Sequence, residues 1–282
     1  MSGPQLVPPP VEKPMKGFGK RFRPRARPRF TGPSFNRMIP NLLTMLGLCS
    51  GLTGMRFALE GKFGAAAVAI AVSACIDGLD GRIARLLKAT SRFGAEFDSL
   101  ADFLCFGVAP SFILYLWTLQ TAHGFGFMPC LMFSVCMALR LARFNASIDA
   151  GPKPAYQYNF FTGVPAPAGA ALALLPLFLF LEGRSLGWEW LQSAARHPLV
   201  SAIVLIVTAL LLVSSIPVWS FKNFKIPSQY VLPIFLGTMI FAALLIADPW
   251  AGFAAAGILY AAMLPFSVRS YHRLRRAAGD EV

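Results

Sequence analysis

The amino-acid sequence predicts an all-α integral membrane protein with about eight transmembrane helices. Hydrophobic residues make up 56% of the 282-residue chain and charged residues only 14%, a composition typical of multi-spanning membrane proteins. The apolar residues fall in separate runs of roughly 20, the length at which a helix crosses a bilayer. The predicted spans cover residues 41–59, 63–87, 96–119, 125–144, 165–182, 198–216, 229–247 and 250–267.

The segment before the first span, residues 1–38, is basic and rich in proline. Pro24 and Pro28 oppose a regular helix there, so we predict a disordered cytoplasmic tail that lies on anionic lipid headgroups. RNA binding is an alternative for such a tail. The net charge of the chain is +13. In a membrane protein, however, the basic residues usually mark the cytoplasmic face, and we therefore predict no nucleic-acid partner.

The first span has polar residues at its cytoplasmic end. Pro40 suits a helix start, and Asn41 and Thr44 follow one turn apart. Asn41 either caps the helix or contacts a ligand, and the sequence leaves both roles open. Further along, Gly47 and Gly51 form a GxxxG pair, which predicts close packing against another helix.

The second and third spans carry an acidic motif within sequence that is otherwise apolar. Its residues fall at helical spacing, so those on each span share one helix face. They are Asp77, Asp80, Gly81, Ala84 and Arg85 on the second span, and Gly94, Asp98 and Asp102 on the third. The connection from Lys88 to Arg92 is short, which makes the two spans antiparallel neighbours. Both halves of the motif are therefore expected at the same end of the helix pair.

Four carboxylates that converge at membrane depth need cations, because like charges repel strongly in a medium of low dielectric. Ligands that offer only oxygen favour a hard divalent ion, Mg²⁺, Mn²⁺ or Ca²⁺. The small residues Gly81, Ala84 and Gly94 leave room for a ligand or a neighbouring backbone, and Arg85 suits a phosphate group. The motif thus predicts a site for one or two metal ions and a phosphate-bearing substrate. A structural Asp/Arg network between helices is the alternative.

The fourth span ends in a second polar motif, Arg140-Leu-Ala-Arg-Phe-Asn145. Arg140 and Arg143 lie one turn apart, and they are either part of a binding site or ordinary flanking charges on the cytoplasmic side. The segment Phe161-Thr-Gly-Val-Pro-Ala-Pro-Ala168 follows, in which Gly163 and two prolines predict a rigid turn into the fifth span.

The distribution of basic residues orients the chain. With eight spans, all but four of the 26 lysines and arginines lie on the side that carries both termini and the acidic motif. The four exceptions are Arg56, Lys62, Arg184 and Arg196. The positive-inside rule then places the termini and the motif in the cytoplasm. The predicted organisation is a tail at 1–38, a transmembrane catalytic domain at 39–268 and a basic tail at 269–282.

Other classes of site have little support in the sequence. The five cysteines lie in apolar runs without a CxxC pair, which argues against zinc and against a disulfide framework. A cation-coupled transporter would typically repeat its polar motif in both halves of the chain. The acidic motif occurs once, and the transporter is kept as the alternative from a different class.

The acidic motif resembles the signature of the CDP-alcohol phosphotransferases, D-x2-D-G-x2-A-R-x8-G-x3-D-x3-D, at every fixed position. The resemblance implies a helical bundle in which an alcohol displaces CMP from a CDP-linked lipid. The segments at 140–145 and 161–168 look like those of the membrane-spanning bacterial phosphatidylserine synthases. That second resemblance implies CDP-diacylglycerol and L-serine as substrates, phosphatidylserine and CMP as products, and a bacterial inner membrane as the location.

The resemblance also implies roles for the motif residues. Asp77, Asp80 and Asp98 would coordinate Mg²⁺ or Mn²⁺, and Asp102 would act as general base and as a further metal ligand. The expected nucleotide and diphosphate contacts are Gly81, Ala84, Arg85, Gly94, Asn41 and Thr44. The expected serine contacts are Arg140, Arg143 and Asn145, since guanidinium groups suit a carboxylate. A glycerol phosphate would be bound equally well, so phosphatidylglycerophosphate synthase is the nearest alternative. The oligomeric state is open, with a homodimer as one expectation.

Overall fold

In the computed structural model of the protein, residues 35–148, 160–219 and 228–277 are described. Their secondary structure is almost entirely helical. The helices are α1 (Phe35–Leu59), α2 (Phe63–Leu86), α3 (Arg92–Asp102), α4 (Ala109–Trp117), α5 (Phe127–Ile148), α6 (Ala166–Ala173), α7 (Leu175–Leu186), α8 (Glu189–Ala195), α9 (Pro198–Val213), α10 (Ser228–Ala247) and α11 (Pro249–Ala277). Residues 1–34 of the predicted N-terminal tail and residues 278–282 of the C-terminal tail lie outside the described ranges.

Helices α1 and α2 form a closely packed antiparallel hairpin. The Ser73 hydroxyl donates to the Gly47 carbonyl at 2.9 Å, and the Ser50 hydroxyl donates to the Ala69 carbonyl at 2.8 Å. At Gly51, a Cβ atom would lie 2.5 Å from the Cys105 sulfur, so this glycine admits the third span. The small residues of α1 therefore bring its polar end against both halves of the acidic motif.

The first helix begins earlier than the sequence predicts. It starts at Phe35, and Pro40 lies inside it, so the expectations that Pro40 opens the helix and that Asn41 caps it are wrong. Proline is tolerated in a membrane helix when neighbouring groups satisfy the freed backbone atoms.

A tight turn joins α2 to α3 and reverses the chain. Lys88 has a φ of 49°, a left-handed conformation that ends many helices. The Ala89 amide donates to the Ala84 carbonyl at 2.9 Å, which closes the last turn of α2. Ser91 then caps α3 by accepting a hydrogen bond from the Gly94 amide at 3.0 Å. These local bonds fix the two halves of the motif side by side.

The third span is one apolar helix with an irregular centre. Helices α3 and α4 are joined by a π-helical turn over Phe103–Val108, and together they cover Arg92–Trp117. Such turns insert an extra residue per turn and often occur beside functional sites. Here the turn follows Asp102 directly, so Asp98 and Asp102 lie on the regular helical part before it.

Two later pairs of consecutive apolar helices are bent at a short break. Helices α6 and α7 meet at 48°, and α8 and α9 meet at 57°. Pro176 at the start of α7 and Pro198 at the start of α9 lack the amide that would continue the preceding helix. A short antiparallel pair of strands, β1 (Phe160–Thr162) and β2 (Pro217–Trp219), closes the cytoplasmic end that was predicted for these spans, with Thr162 opposite Pro217.

The predicted number of eight membrane spans is not confirmed by the described part of the chain. Within the described ranges, five helices are long and apolar enough to cross a membrane, and up to seven if each bent pair is one span. The predicted seventh span corresponds to an apolar helix over Val231–Ala247, which is short for a bilayer. The count of eight is therefore not confirmed, whereas the all-α membrane architecture is.

The core forms around α4, α5, α7 and α9. Phe106, Phe133, Met137, Leu177 and Leu205 are fully buried there. This packing holds α4 and α5 against each other and so fixes the ends of the spans that carry the two polar motifs.

Candidate active site

Three of the four predicted carboxylates meet at one point between α2 and α3. Asp77, Asp98 and Asp102 each place a carboxylate oxygen within 4.8 Å of the others, and all three side chains are partly buried. Asp77 comes from α2, and the other two lie one turn apart on α3. The arrangement follows from the helical spacing of the motif and from the tight turn at Lys88.

The fourth carboxylate, Asp80, has a different partner. It is only 4% exposed, and one of its oxygens lies 2.8 Å from the Thr44 hydroxyl of α1. Asp80 is therefore adjacent to the group of three without belonging to it. A donor from a helix 36 residues earlier orients its carboxylate.

A cavity of about 200 Å³ opens beside these carboxylates, between α1, α2 and the start of α3. All six residues predicted to contact the nucleotide and diphosphate line it. They are Asn41, Thr44, Gly81, Ala84, Arg85 and Gly94. Sequence reasoning missed five further lining residues, which are Pro40, Ala89, Thr90, Ser91 and Ala95. The position of Ser91, three residues before Gly94, was a helix-cap signal that could have indicated it.

Two glycines shape this cavity in different ways. A Cβ atom at Gly94 would lie 2.9 Å from the Asn41 side-chain oxygen and 3.1 Å from the Ser91 hydroxyl, so the glycine lets α1 approach α3. At Gly81, a Cβ atom would meet nothing within 4 Å. The Gly81 face of α2 is thus open to the cavity, and its missing side chain leaves space for a ligand.

The carboxylate group suits a divalent cation. Thr44, Asp80 and Asp98 line both the cavity and a narrower space that reaches Asp77 and Asp102. In the described ranges the ion pairs are those of Glu60 with Arg56 and Lys62, so no basic side chain there neutralises the three carboxylates at contact distance. An all-oxygen set of ligands without a paired cation fits Mg²⁺ or Mn²⁺.

The two arginines at the end of α5 have different surroundings. The Arg143 guanidinium donates to the main-chain carbonyls of Val213 at 2.7 Å, Ser214 at 3.1 Å and Leu212 at 3.3 Å, and to that of Thr162 at 3.5 Å. These acceptors end α9 and β1, where a cation also complements the helix dipole. These hydrogen bonds hold the Arg143 side chain against the ends of α9 and β1.

Arg140 instead interacts with two carboxylates of the acidic group. It is partly buried, it interacts electrostatically with Asp102 and Asp77, and its guanidinium carbon lies 6.0 Å from the centre of the Phe144 ring. In the described part of the chain, the Arg140 guanidinium forms no ion pair and donates no hydrogen bond. Asn145 points to α3, where its amide donates to the Ser99 hydroxyl at 3.0 Å, next to Asp98.

Comparisons with known proteins point to one family of enzymes. The family model for CDP-alcohol phosphatidyltransferases matches residues 37–213, and a model described as CDP-alcohol phosphatidyltransferase 2 matches residues 229–265. Similar curated proteins carry the name CDP-diacylglycerol–serine O-phosphatidyltransferase. The protein of Mycobacterium leprae is 40% identical over 245 residues, which cover 87% of this chain and 79% of the relative.

Two further relatives bear the same name. The protein of Mycobacterium tuberculosis H37Rv is 40% identical over 234 residues, covering 83% of this chain and 79% of its own. The protein of Helicobacter pylori 26695 is 35% identical over 212 residues, covering 75% of this chain and 83% of its own. The similarity thus extends well beyond the acidic motif.

Proposed function

The chain belongs to the CDP-alcohol phosphatidyltransferase family, and we propose that it transfers the phosphatidyl group of CDP-diacylglycerol to the hydroxyl of L-serine. The products are phosphatidylserine and CMP. The observation that carries this conclusion is the similarity, at 35–40% identity over three quarters or more of the chain, to relatives named for that reaction. The geometry of the cavity and the three carboxylates supports it.

In this proposal the CDP group occupies the cavity between α1, α2 and α3. Gly81 leaves space for the nucleotide, and the small residues Ala84 and Gly94 also line the cavity. The exposed Arg85 side chain pairs with the phosphates, for which a guanidinium offers two parallel donors. Asn41 and Thr44 contribute polar atoms from α1.

The diphosphate needs compensation for its charge beside four carboxylates. Asp77, Asp98 and Asp102 would supply oxygen ligands to a metal ion, and Asp80, held by Thr44, would add a fourth. A divalent ion, or a pair of them, bound to these oxygens would stabilise negative charge on the diphosphate and on the leaving CMP.

The chain's own residues then perform the proton transfer and the orientation of the substrates. Asp102 accepts the proton of the serine hydroxyl as a general base. The serine oxygen forms a bond to the phosphatidyl phosphorus, and the bond from that phosphorus to the CMP oxygen breaks. Arg140, which interacts electrostatically with Asp102, would bind the carboxylate of serine, and Asn145 is at the same end of α5.

The membrane supplies the lipid substrate. The protein is a multi-pass membrane protein, and we place it in a bacterial inner membrane with both termini and the site facing the cytoplasm. The exposed basic residues around the motif, including Arg82, Arg85 and Lys88, support that orientation by the positive-inside rule. The acyl chains would remain in the bilayer while the headgroup enters the cavity. A homodimer stays a prediction.

The decisive experiment is an acceptor assay. Purified protein in detergent or lipid receives CDP-diacylglycerol, Mg²⁺ or Mn²⁺ and one candidate alcohol, and CMP release is measured. We expect release with L-serine and a lipid product that carries a serine headgroup. If glycerol 3-phosphate gives release and serine does not, the chain is a phosphatidylglycerophosphate synthase and the acceptor assignment is wrong.

A further inference from the structure

The last helix contains a buried tyrosine hydroxyl that has no role in the site described so far. The Tyr260 hydroxyl oxygen of α11 is inaccessible to solvent and has no hydrogen-bond partner in the described part of the chain. The rest of its side chain packs against the hydrophobic core. A buried hydroxyl without a partner is unfavourable, and such groups in native proteins usually have a ligand, a water molecule or a task.

Arg140 is a charged group that interacts with this phenol. Its guanidinium interacts electrostatically with Tyr260 as well as with Asp102 and Asp77. Like the phenol, it lacks a hydrogen-bond acceptor within the described ranges. Two donors without a hydrogen-bond acceptor in the described ranges thus interact electrostatically with each other, and the cationic one also interacts with Asp102.

A series of hydrogen bonds connects α11 to the end of α5 through the two strands. The Ser267 hydroxyl of α11 donates to the Pro217 carbonyl of β2 at 2.7 Å. Strand β2 pairs with β1, where Pro217 lies opposite Thr162, and the Thr162 carbonyl accepts from Arg143 of α5. Tyr260 lies two helical turns before Ser267 and therefore on the same face of α11.

We propose that Tyr260 and Arg140 together bind the carboxylate of the acceptor, L-serine. This inference rests on the proposed function. The guanidinium neutralises the carboxylate, and the phenol O–H donates a hydrogen bond to one of its oxygens. Because Arg140 also interacts with Asp102, a serine held in this way presents its hydroxyl towards the general base. The last helix, whose first part matches the second family model over residues 229–265, thereby completes the acceptor site.

The test removes one oxygen atom from the protein. In Tyr260→Phe the ring and its packing remain, and we expect the KM for serine to rise about tenfold, as for loss of a hydrogen bond to a charged group. The KM for CDP-diacylglycerol should stay at the wild-type value. Tyr115→Phe is the matched control, since Tyr115 is also partly buried but packs edge-to-face on Phe127, away from the acidic group. It should change neither KM.

A double-variant cycle adds a readout that a merely structural role would not move. If Tyr260 and Arg140 contact the same carboxylate, the rise in serine KM for Arg140→Ala/Tyr260→Phe will be smaller than the product of the two single effects. An unchanged serine KM in Tyr260→Phe, or an equal rise in both KM values, would overturn the inference. Absence of serine-dependent CMP release by the wild-type protein would instead overturn the proposed function itself, so the two failures are distinguishable.

Discussion

The hydroxyl of Thr44 lies 2.8 Å from a carboxylate oxygen of Asp80, and this contact joins α1 to α2 across 36 residues of sequence. Both side chains are buried, at 7% and 4% exposure. The contact orients a carboxylate that lines both the cavity and the narrower space beside the other three acidic residues. Helix α1 is thus part of the site, although it carries no acidic residue of the motif.

Replacing Thr44 with valine should weaken use of the lipid substrate. Valine keeps the shape of threonine but removes the donor, and a hydrogen bond to a charged group is worth about 1.5–3 kcal/mol. We therefore expect the KM for CDP-diacylglycerol to rise about tenfold, measured from initial rates of CMP release at saturating serine. Thr44→Ser keeps the hydroxyl and should behave like the wild type. Equal KM values in the valine and serine variants would show that the Asp80 contact is dispensable.

Two glycines of the first hairpin should respond to alanine in opposite ways. At Gly81 a methyl group would meet no protein atom within 4 Å, so Gly81→Ala should fold as stably as the wild type or slightly better, since alanine favours helix. The methyl group would still enter the cavity, and the KM for CDP-diacylglycerol should rise several-fold. Thermal unfolding in detergent and CMP-release kinetics check the two effects.

Gly51→Ala is the comparison, because its methyl group would lie 2.5 Å from the Cys105 sulfur and 3.3 Å from the Cys105 Cα atom. Forcing extra volume into such a contact typically costs about 1–3 kcal/mol, so this variant should have a lower Tm. A stable Gly51→Ala, or a Gly81→Ala with wild-type kinetics, would contradict the packing described here.

Helical spacing was sufficient to predict the acidic site and insufficient to assign each member. The intervals between Asp77, Asp80, Asp98 and Asp102 place them on facing helix surfaces, and this much follows from the sequence. The pairing of Asp80 with Thr44 depends on how α1 packs on α2, which spacing within the motif does not contain. The backbone acceptors of Arg143 could not be predicted for the same reason, because they come from residues about 70 positions later.

The last helices show where pattern reading loses information. Tyr260 lies in an apolar run without a neighbouring motif, so no local signal distinguishes it from an ordinary core residue. Hydropathy likewise averages over Pro176, and the break between α6 and α7 follows from local backbone chemistry that the average hides. Charge asymmetry and hydropathy therefore predicted an all-α membrane protein, but they did not predict the bends between α6 and α7 and between α8 and α9.

Activity should require a divalent cation. The three carboxylates of Asp77, Asp98 and Asp102 lie within 4.8 Å of one another and have no ion-pair partner in the described ranges, so their convergence needs external positive charge. We expect exhaustive chelation to abolish CMP release and added Mg²⁺ or Mn²⁺ to restore it. Full activity after chelation, verified by metal analysis of the sample, would exclude the metal site.

Single substitutions separate metal binding from proton transfer at the same group. Asp77→Asn should weaken Mn²⁺ binding, as followed by electron paramagnetic resonance of the free ion. At saturating metal, Asp102→Asn should bind CDP-diacylglycerol but lose about 10²–10⁴-fold in kcat, the usual contribution of a general base. If kcat survives in Asp102→Asn, another group accepts the serine proton.

Arg85 should not tolerate replacement by lysine. A guanidinium can bind two phosphate oxygens at once, whereas an ammonium acts as a point charge. Loss of one hydrogen bond of about 1 kcal/mol corresponds to a roughly fivefold fall in kcat/KM for CDP-diacylglycerol. Arg82→Lys is the control, since Arg82 is exposed on the same helix and does not line the cavity. Equal kinetics for the two variants would remove Arg85 from the phosphate site.

The two arginines at the end of α5 should separate in their effects. Arg143 donates to main-chain carbonyls that end α9 and β1, so Arg143→Ala leaves polar groups unpaired, at a cost of about 1–3 kcal/mol. We expect its Tm to fall by several degrees, at about 2–4 °C per kcal/mol for a protein of this size.

Arg140 has no such partners in the described ranges. Arg140→Ala should therefore keep the wild-type Tm while the KM for serine rises about tenfold or more, because the carboxylate loses its countercharge. The measurements are thermal unfolding and CMP release with each substrate varied in turn. A fall in Tm for Arg140→Ala, or an equal rise in the KM for CDP-diacylglycerol, would assign Arg140 to the structure of the helix end and leave serine without a cationic partner on α5.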